Sequence, residues 1–384
     1  MSAPSLVVRG GRVLAADGWR RDCDVHIADG VVAGLGAHAP GDAVIDAHDA
    51  LVAPGFVDLH VHGAGGAMFE DGDRDGVRRI RATLAAHGTT ALLATIAALP
   101  PKPLARAVAT ATAAMTEPGG ARLLGIHLEG PFLNPRRGGA QRTEWMRDPS
   151  IAELDRLQAI AGGAIRLLTL APELPGALEV IRHARGQGIT VALGHSEASA
   201  AQVEAAIAAG ATHVTHCFNA MAPLHHREVG LAGVALTDDR LRIELIADGV
   251  HVDRRAIALA VRSKPRGGWV LVSDGVAGVG QPAGPLTLFG ASCIAGDAVR
   301  QADTGRLAGS CLTLAAAARN LRAWLPALAD EVILDAAAVD AAAAVGCADR
   351  CGRIGVGRPA DLVVLAGDWR LRAVVVGGEV VSGS

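Results

Sequence analysis

Eight short apolar runs, separated by stretches of helical character, are what this chain imposes on any fold it adopts. They span Val52 to His62, Thr89 to Ile96, Leu123 to Glu129, Ile165 to Pro172, Ile189 to His195, Thr212 to Phe218, Arg242 to Ala247 and Trp269 to Asp274. Candidate helices lie between them, among them Arg74 to His87, Pro103 to Met115, Ile151 to Ala161, Leu174 to Arg185 and Ser199 to Ala209. Strand and helix in alternation indicate a parallel sheet with crossover helices, and eight such units close most naturally into an α/β fold, the (β/α)8 TIM barrel. The N-terminal runs Leu6–Arg9, Arg12–Leu14, Asp24–Ile27 and Val31–Ala33 have a different texture, broken by Gly10-Gly11 and Asp29-Gly30 as hairpins would be. That texture returns in Ala360–Leu365, Leu371–Val376 and Glu379–Val381. Both chain ends are therefore expected to build one small β-sandwich domain, residues 1–51 and 356–384, beside a barrel of residues 52–355. Gly275 to Arg306 reads as an irregular excursion at the barrel mouth, with helices expected over Ser310 to Leu325 and Ala336 to Val345.

Barrel enzymes keep their sites at the carboxyl ends of the strands, so polar residues there carry information. Strand one ends in His60 and His62, which project to one side because they are two apart. Strand three ends in Glu129, strand five in His195, strand six in His216 and strand eight in Asp274. One such residue is ordinarily satisfied by a backbone partner; five strand ends on one rim point to a divalent metal. Imidazole and carboxylate in this mixture suit zinc best, with iron, manganese or cobalt also compatible. Glu129 has two oxygens and can bridge a His60/His62 site to a His195/His216 site, giving one or two ions per chain. Asp274 can ligate weakly or serve as general base toward a water that the metal acidifies, which is the apparatus of hydrolysis. Alternation within the strands assigns His127 to the inner side as a supporting residue, and turns His213 and Cys217 away from the lumen.

Composition narrows the remaining classes. Half of the 384 residues are hydrophobic and the formal charge is −3, which describes a globular chain without the basic footprint of a nucleic-acid binder. No apolar run is long enough for a membrane span, and the first residues lack a secretory pattern, so a cytoplasmic location is expected. The six cysteines are scattered and read as reduced.

At this point the chain resembles a family. Pro54–Gly63, Gly125-Ile-His-Leu-Glu-Gly-Pro-Phe-Leu133, Leu170–Glu173, Gly194-His-Ser196, Thr215-His-Cys-Phe-Asn-Ala-Met221, Ala247–Val252, Val272-Ser-Asp274 and Leu307-Ala-Gly-Ser310 are similar, in order, to segments of the N-acetylglucosamine-6-phosphate deacetylases of the amidohydrolase superfamily. The resemblance implies hydrolysis of N-acetyl-D-glucosamine 6-phosphate to D-glucosamine 6-phosphate and acetate. It implies that Glu129, His195 and His216 hold the principal ion, that Asp274 is the acid/base, and that His60 and His62 admit a second ion. It places Asn219, Ala220, Arg227 and His251 at the phosphate, with Arg227 and His251 able to act across a homodimer interface. It also sets Leu307, Ala308 and Gly309 around the sugar, with Ala140 beside them.

The loop after Glu-Gly-Pro reads Gly139-Ala-Gln141, where the family often carries histidine at the last position. A deacetylase for the galactosamine epimer, or another amidohydrolase of the D-aminoacylase kind, is the nearest alternative. Relatives that bridge two ions through a carboxylated lysine are disfavoured, because the fourth strand contains no lysine. A barrel scaffold without catalysis is disfavoured by the complete ligand set.

Overall fold

The run from Val52 to His62 is two strands divided at Gly55. Leu51–Pro54 joins the sheet formed by the chain ends, and Phe56–Asp58 (β1) opens the barrel. A Cβ at Gly55 would stand 2.2 Å from the Thr90 side chain, so only glycine lets β1 lie against the next strand. The structure, a computed structural model, describes residues 5–36 and 43–383. Residues 1–4, 37–42 and 384 of the expected small domain lie outside the described residues.

The barrel strands follow as Thr89–Ala97 (β2), Arg122–Glu129 (β3), Ile165–Leu170 (β4), Thr190–Leu193 (β5), His213–Val214 (β6), Arg242–Leu245 (β7) and Trp269–Leu271 (β8). Each pairs in parallel with the next. Closure comes from the segments just beyond β1 and β8, where Asp274 N–H donates to His60 O at 2.9 Å and His62 N–H to Gly275 O at 2.8 Å. The same contacts that shut the barrel therefore set three of the expected site residues side by side. Helices cover the outside, and several start where the sequence supplies an oxygen to cap them: Asp73 accepts from Gly76 N–H, Ser150 from Glu153 N–H and Ser199 from Gln202 N–H. Caps of this kind contribute about 1 kcal/mol each.

Both chain ends meet in one sheet. Leu6–Ala15 is its hub, paired with Gly18–Ala28 on one side and, on the other, with Ala43–Asp46 and then Leu51–Pro54. Leu51–Pro54 in turn pairs with Leu362–Leu365, which leads to Leu371–Val376 and Glu379–Gly383. With Val31–Gly36 paired to Gly18–Ala28 at the far edge, the result is one continuous hydrogen-bonded set of eight strands that makes the small β-domain expected of the two chain ends. Alternation explains how it serves two cores: Leu362 and Val364 pack with Val8, Val25 and Val52 in the small domain, whereas Val363 and Leu365 pack with the barrel.

The stretch after β8 is also more ordered than its composition suggests. Gly284–Leu288, Ala291–Ala295, Ala298–Gln301 and Leu307–Ser310 form a four-stranded antiparallel sheet over the barrel mouth, packed on Met68 and Val276. No helix among the described residues is long and apolar enough to cross a membrane.

Candidate active site

Every strand but β3 delivers its polar residue only after it has ended. His60 and His62 follow β1, and His195, His216 and Asp274 follow β5, β6 and β8, all three with positive φ (48°, 27° and 49°). Such backbone is uncommon for residues with a side chain and concentrates at functional sites. Glu129 closes β3 itself. His62, Glu129, His195, His216 and Asp274 line one cleft, with His60 fully buried behind them.

Glu129 is the centre of the cluster. Its Oε1 lies 2.9 Å from His195 Nε2 and 3.0 Å from His216 Nε2, and those two nitrogens are 3.1 Å apart. Its Oε2 lies 3.3 Å from His62 Nε2. His60 Nε2 and His62 Nε2 are 3.3 Å apart, and Asp274 Oδ1 sits 3.4 Å from the first and 3.6 Å from the second. Two triangles thus share one carboxylate: His195 and His216 meet Oε1, the His60/His62/Asp274 arc meets Oε2 through His62, and His60 Nε2, 3.4 Å from Oε1, stands between the two.

The donor chemistry decides what such a cluster can hold. His195 Nδ1 faces the Arg137 carbonyl at 2.8 Å, and a carbonyl only accepts, so Nδ1 carries the hydrogen. His60 Nδ1 faces Glu244 Oε2 at 2.9 Å and His62 Nδ1 faces Glu70 Oε1 at 2.6 Å, with the same consequence. In their neutral forms three imidazoles therefore turn Nε2 lone pairs toward each other and toward carboxylate oxygens. Acceptors packed this closely need cations among them, and the triangle edges of 2.9–3.1 Å approach the ~3.3 Å separation of ligands around tetrahedral zinc. The residues present fit a divalent metal, with carboxylates holding the ligating rings as is usual around such ions.

Electrostatics agree with this. Burial opposes charge on Glu129, yet His195 and His60 outweigh it and hold the carboxyl well below its ordinary range. Burial likewise opposes charge on His62, but Glu70 and Glu129 raise its pKa to about 10. His60 is raised against burial by Glu129, Glu244 and Asp274. The site thus favours positive charge at its centre.

The substrate residues expected from the sequence fall on the cleft wall with one exception. Ala140, Asn219, Ala220, His251 and Leu307 to Gly309 line it, whereas Arg227 stands exposed on the 222–229 loop, away from the lining. Gly309 has φ +124°, and a Cβ there would lie 2.4 Å from Val276, so the wall passes closer than any side chain allows. Gln141 donates to Glu129 Oε2 at 2.5 Å and accepts from Ala98 N–H at 2.8 Å, which joins this departure in the loop to the central carboxylate.

His127 faces inward but spends both nitrogens on hydroxyls, Thr95 at 3.2 Å and Thr169 at 2.8 Å, so it has no lone pair to offer. His213 does not turn away as alternation suggested: its Nε2 is 3.5 Å from Glu244 Oε1. Alternation counted back from His216 fails because His216 is past the strand, in a left-handed turn. Two buried carboxylates were missed, Glu70 and Glu244. A charged residue inside the apolar run Arg242-Ile-Glu-Leu245 was a usable signal for Glu244; nothing local marks Glu70.

A (β/α)8 barrel with imidazoles and carboxylates gathered at its carboxyl rim is the architecture of a metal-assisted hydrolase. The chain belongs to the amidohydrolase family, whose model matches residues 51–381, and is accordingly a hydrolytic enzyme acting on an amide bond. It is 36% identical to the N-acetylgalactosamine-6-phosphate deacetylase of Escherichia coli O157:H7, over 98% of this chain and 99% of that protein. It is 33% identical to the N-acetylglucosamine-6-phosphate deacetylase of Bacillus subtilis, over 98% of this chain and 97% of that one. Among solved structures it resembles the N-acetyl-D-glucosamine-6-phosphate deacetylase of Mycobacterium smegmatis in complex with N-acetyl-D-glucosamine-6-phosphate, with a TM-score of 0.91 at 35% identity, covering 99% of this chain and all of that one.

Proposed function

We propose that this protein removes the acetyl group from N-acetyl-D-glucosamine 6-phosphate, releasing acetate and D-glucosamine 6-phosphate. The observation that carries the reading is the placement of Asp274 Oδ1 within 3.6 Å of two bare imidazole nitrogens that also face Glu129, in a chain similar over nearly its whole length to sugar-phosphate deacetylases. Glu129, His195 and His216 would hold the principal divalent ion, and His60 and His62 a second. A metal bound there supplies an acidified water and a polarised carbonyl, with zinc the first choice on donor type. Asp274 takes the proton of the attacking water and returns it to the nitrogen that leaves, since the amine must depart protonated. Asn219, the Ala220 backbone and His251 receive the phosphate, Leu307 to Gly309 and Ala140 enclose the sugar, and Arg227 reaches the phosphate across a homodimer interface. The barrel of residues 52–355 carries this chemistry beside a small domain of 1–51 and 356–384, in the cytoplasm; the pairing of Leu51–Pro54 with Leu362–Leu365 favours Gly55 as the junction.

The 36% identity to a galactosamine-type deacetylase supports a second reading, the epimeric substrate. Acetate release by metal-replete protein, measured on both sugar phosphates and on the unphosphorylated sugar, separates the two. A kcat/KM for the glucosamine compound at least tenfold above that for the epimer is expected. The reverse order establishes the epimer, and no turnover of either refutes both.

A further inference from the structure

Glu244 lies at the heart of the barrel with no exposure, on β7 between the buried Ile243 and Leu245. A carboxylate in such surroundings is costly unless its partners are well placed, and they are. One oxygen, Oε2, meets His60 Nδ1 at 2.9 Å and also accepts from His216 N–H at 3.0 Å. The backbone of the same residue accepts from Cys217 N–H at 2.9 Å. Glu244 therefore touches both arcs of the site. It fixes the hydrogen of His60 on Nδ1, so that Nε2 is presented bare, and it pins from two sides the left-handed turn that carries His216. Oε1 lies 3.5 Å from His213 Nε2 and has no hydrogen bond.

We propose that Glu244 is a positioning residue that makes the His60/His62 arc competent for a second divalent ion and ties that arc to the turn bearing His216. The inference rests on the metal-assisted reading above and adds to it a residue that sets ion occupancy without touching substrate. The physical reason is that the two arcs share one oxygen. If Oε2 is lost or withdrawn, the His60 ring is free to turn its lone pair elsewhere, whereas the turn bearing His216 keeps its second tie, Cys217 N–H to the Glu244 carbonyl, and with it the contacts of the Glu129/His195/His216 triangle.

The test is zinc uptake by metal-stripped full-length protein, titrated against a competing chelator, for the native chain and for Glu244→Gln. Two uptake steps per native chain are expected. In Glu244→Gln, whose uncharged amide oxygen accepts more weakly than the carboxylate from both His60 Nδ1–H and His216 N–H, the weaker step should lose affinity by roughly 10–100-fold, while the stronger changes little. Two steps of native affinity in the variant would overturn the proposal, as would a single step in the native chain. If Glu244→Gln does not fold, Glu244→Asp, which keeps the charge but withdraws the oxygen by one methylene, takes its place with the same expectation. His213→Asn, which leaves the Oε2 contacts intact, should retain both steps. Uptake is read without substrate, so failure here leaves the acetate-release experiment to decide the proposed activity separately.

Discussion

Replacing Asp274 with asparagine separates proton transfer from every other role this residue has. The backbone of Asp274 is left-handed, with φ +49°, a region asparagine tolerates as well as aspartate. Its N–H donates to His60 O at 2.9 Å and its carbonyl accepts from Ser310 N–H at 3.0 Å, and neither bond involves the side chain. Asparagine also keeps an oxygen at the Oδ1 position, 3.4 Å from His60 Nε2. The fold and the ligand arc should therefore survive, and only the capacity to accept and return a proton is lost. A positioned acid/base contributes ~10²–10⁴ in rate, equivalent to roughly 3–5 kcal/mol of barrier. Steady-state acetate release by metal-loaded Asp274→Asn should show kcat lowered by about 10²–10⁴, with KM within a few-fold and metal content unchanged. Turnover within about threefold of native would remove Asp274 from its role, because a tenfold effect is only ~1.4 kcal/mol and a true acid/base exceeds that. Loss of metal together with activity would instead make Asp274 chiefly a ligand.

Further outcomes follow from the same geometry. Changing both His60 and His62 to alanine should lower the number of zinc ions per chain while the ion on Glu129, His195 and His216 remains; elemental analysis showing complete loss would break the division of the site into two arcs. Gln141→Ala removes the donor on Glu129 Oε2 and strands the buried Ala98 N–H, so it should destabilise the chain by roughly 1–3 kcal/mol in denaturant unfolding and weaken metal binding; native stability would refute the role given to this contact. His251 should make binding of the phosphorylated substrate depend on pH. Burial and Arg300 oppose charge on the ring, but the hydrogen bond with Asp248 and the fields of Asp274 and Asp248 outweigh them and raise its pKa above 6.5. The stabilising charge is therefore present below that ordinary value and is lost as pH rises through the raised one. KM for the sugar phosphate should climb across that window, relative to KM for the plain sugar, since the phosphate is already dianionic there; a ratio independent of pH would count against His251 as a phosphate contact.

What the sequence by itself determined was the barrel, the junction of both chain ends in one small β-domain, and which residues stand at the rim. Alternating apolar runs fix strand number, and a polar side chain at a strand's end has nowhere to go but the rim. Tertiary structure decided how those residues meet. Glu244 finds His60 across 184 positions, and no periodicity encodes a partner at that distance. Gln141 stood out in the sequence only as a departure, and its hold on Glu129 became visible once the loop folded back over β3. The left-handed turns at His195, His216 and Asp274 were not legible either, because local propensity argues against them and only the closed barrel compensates for their strain. For the same reason His213 was misplaced: alternation tells which face a residue takes while the strand lasts, and β6 ends two residues before His216. Patterning along the chain specifies faces and ends, whereas hydrogen-bond partners and backbone strain are set by contacts between segments that only closure of the barrel brings together.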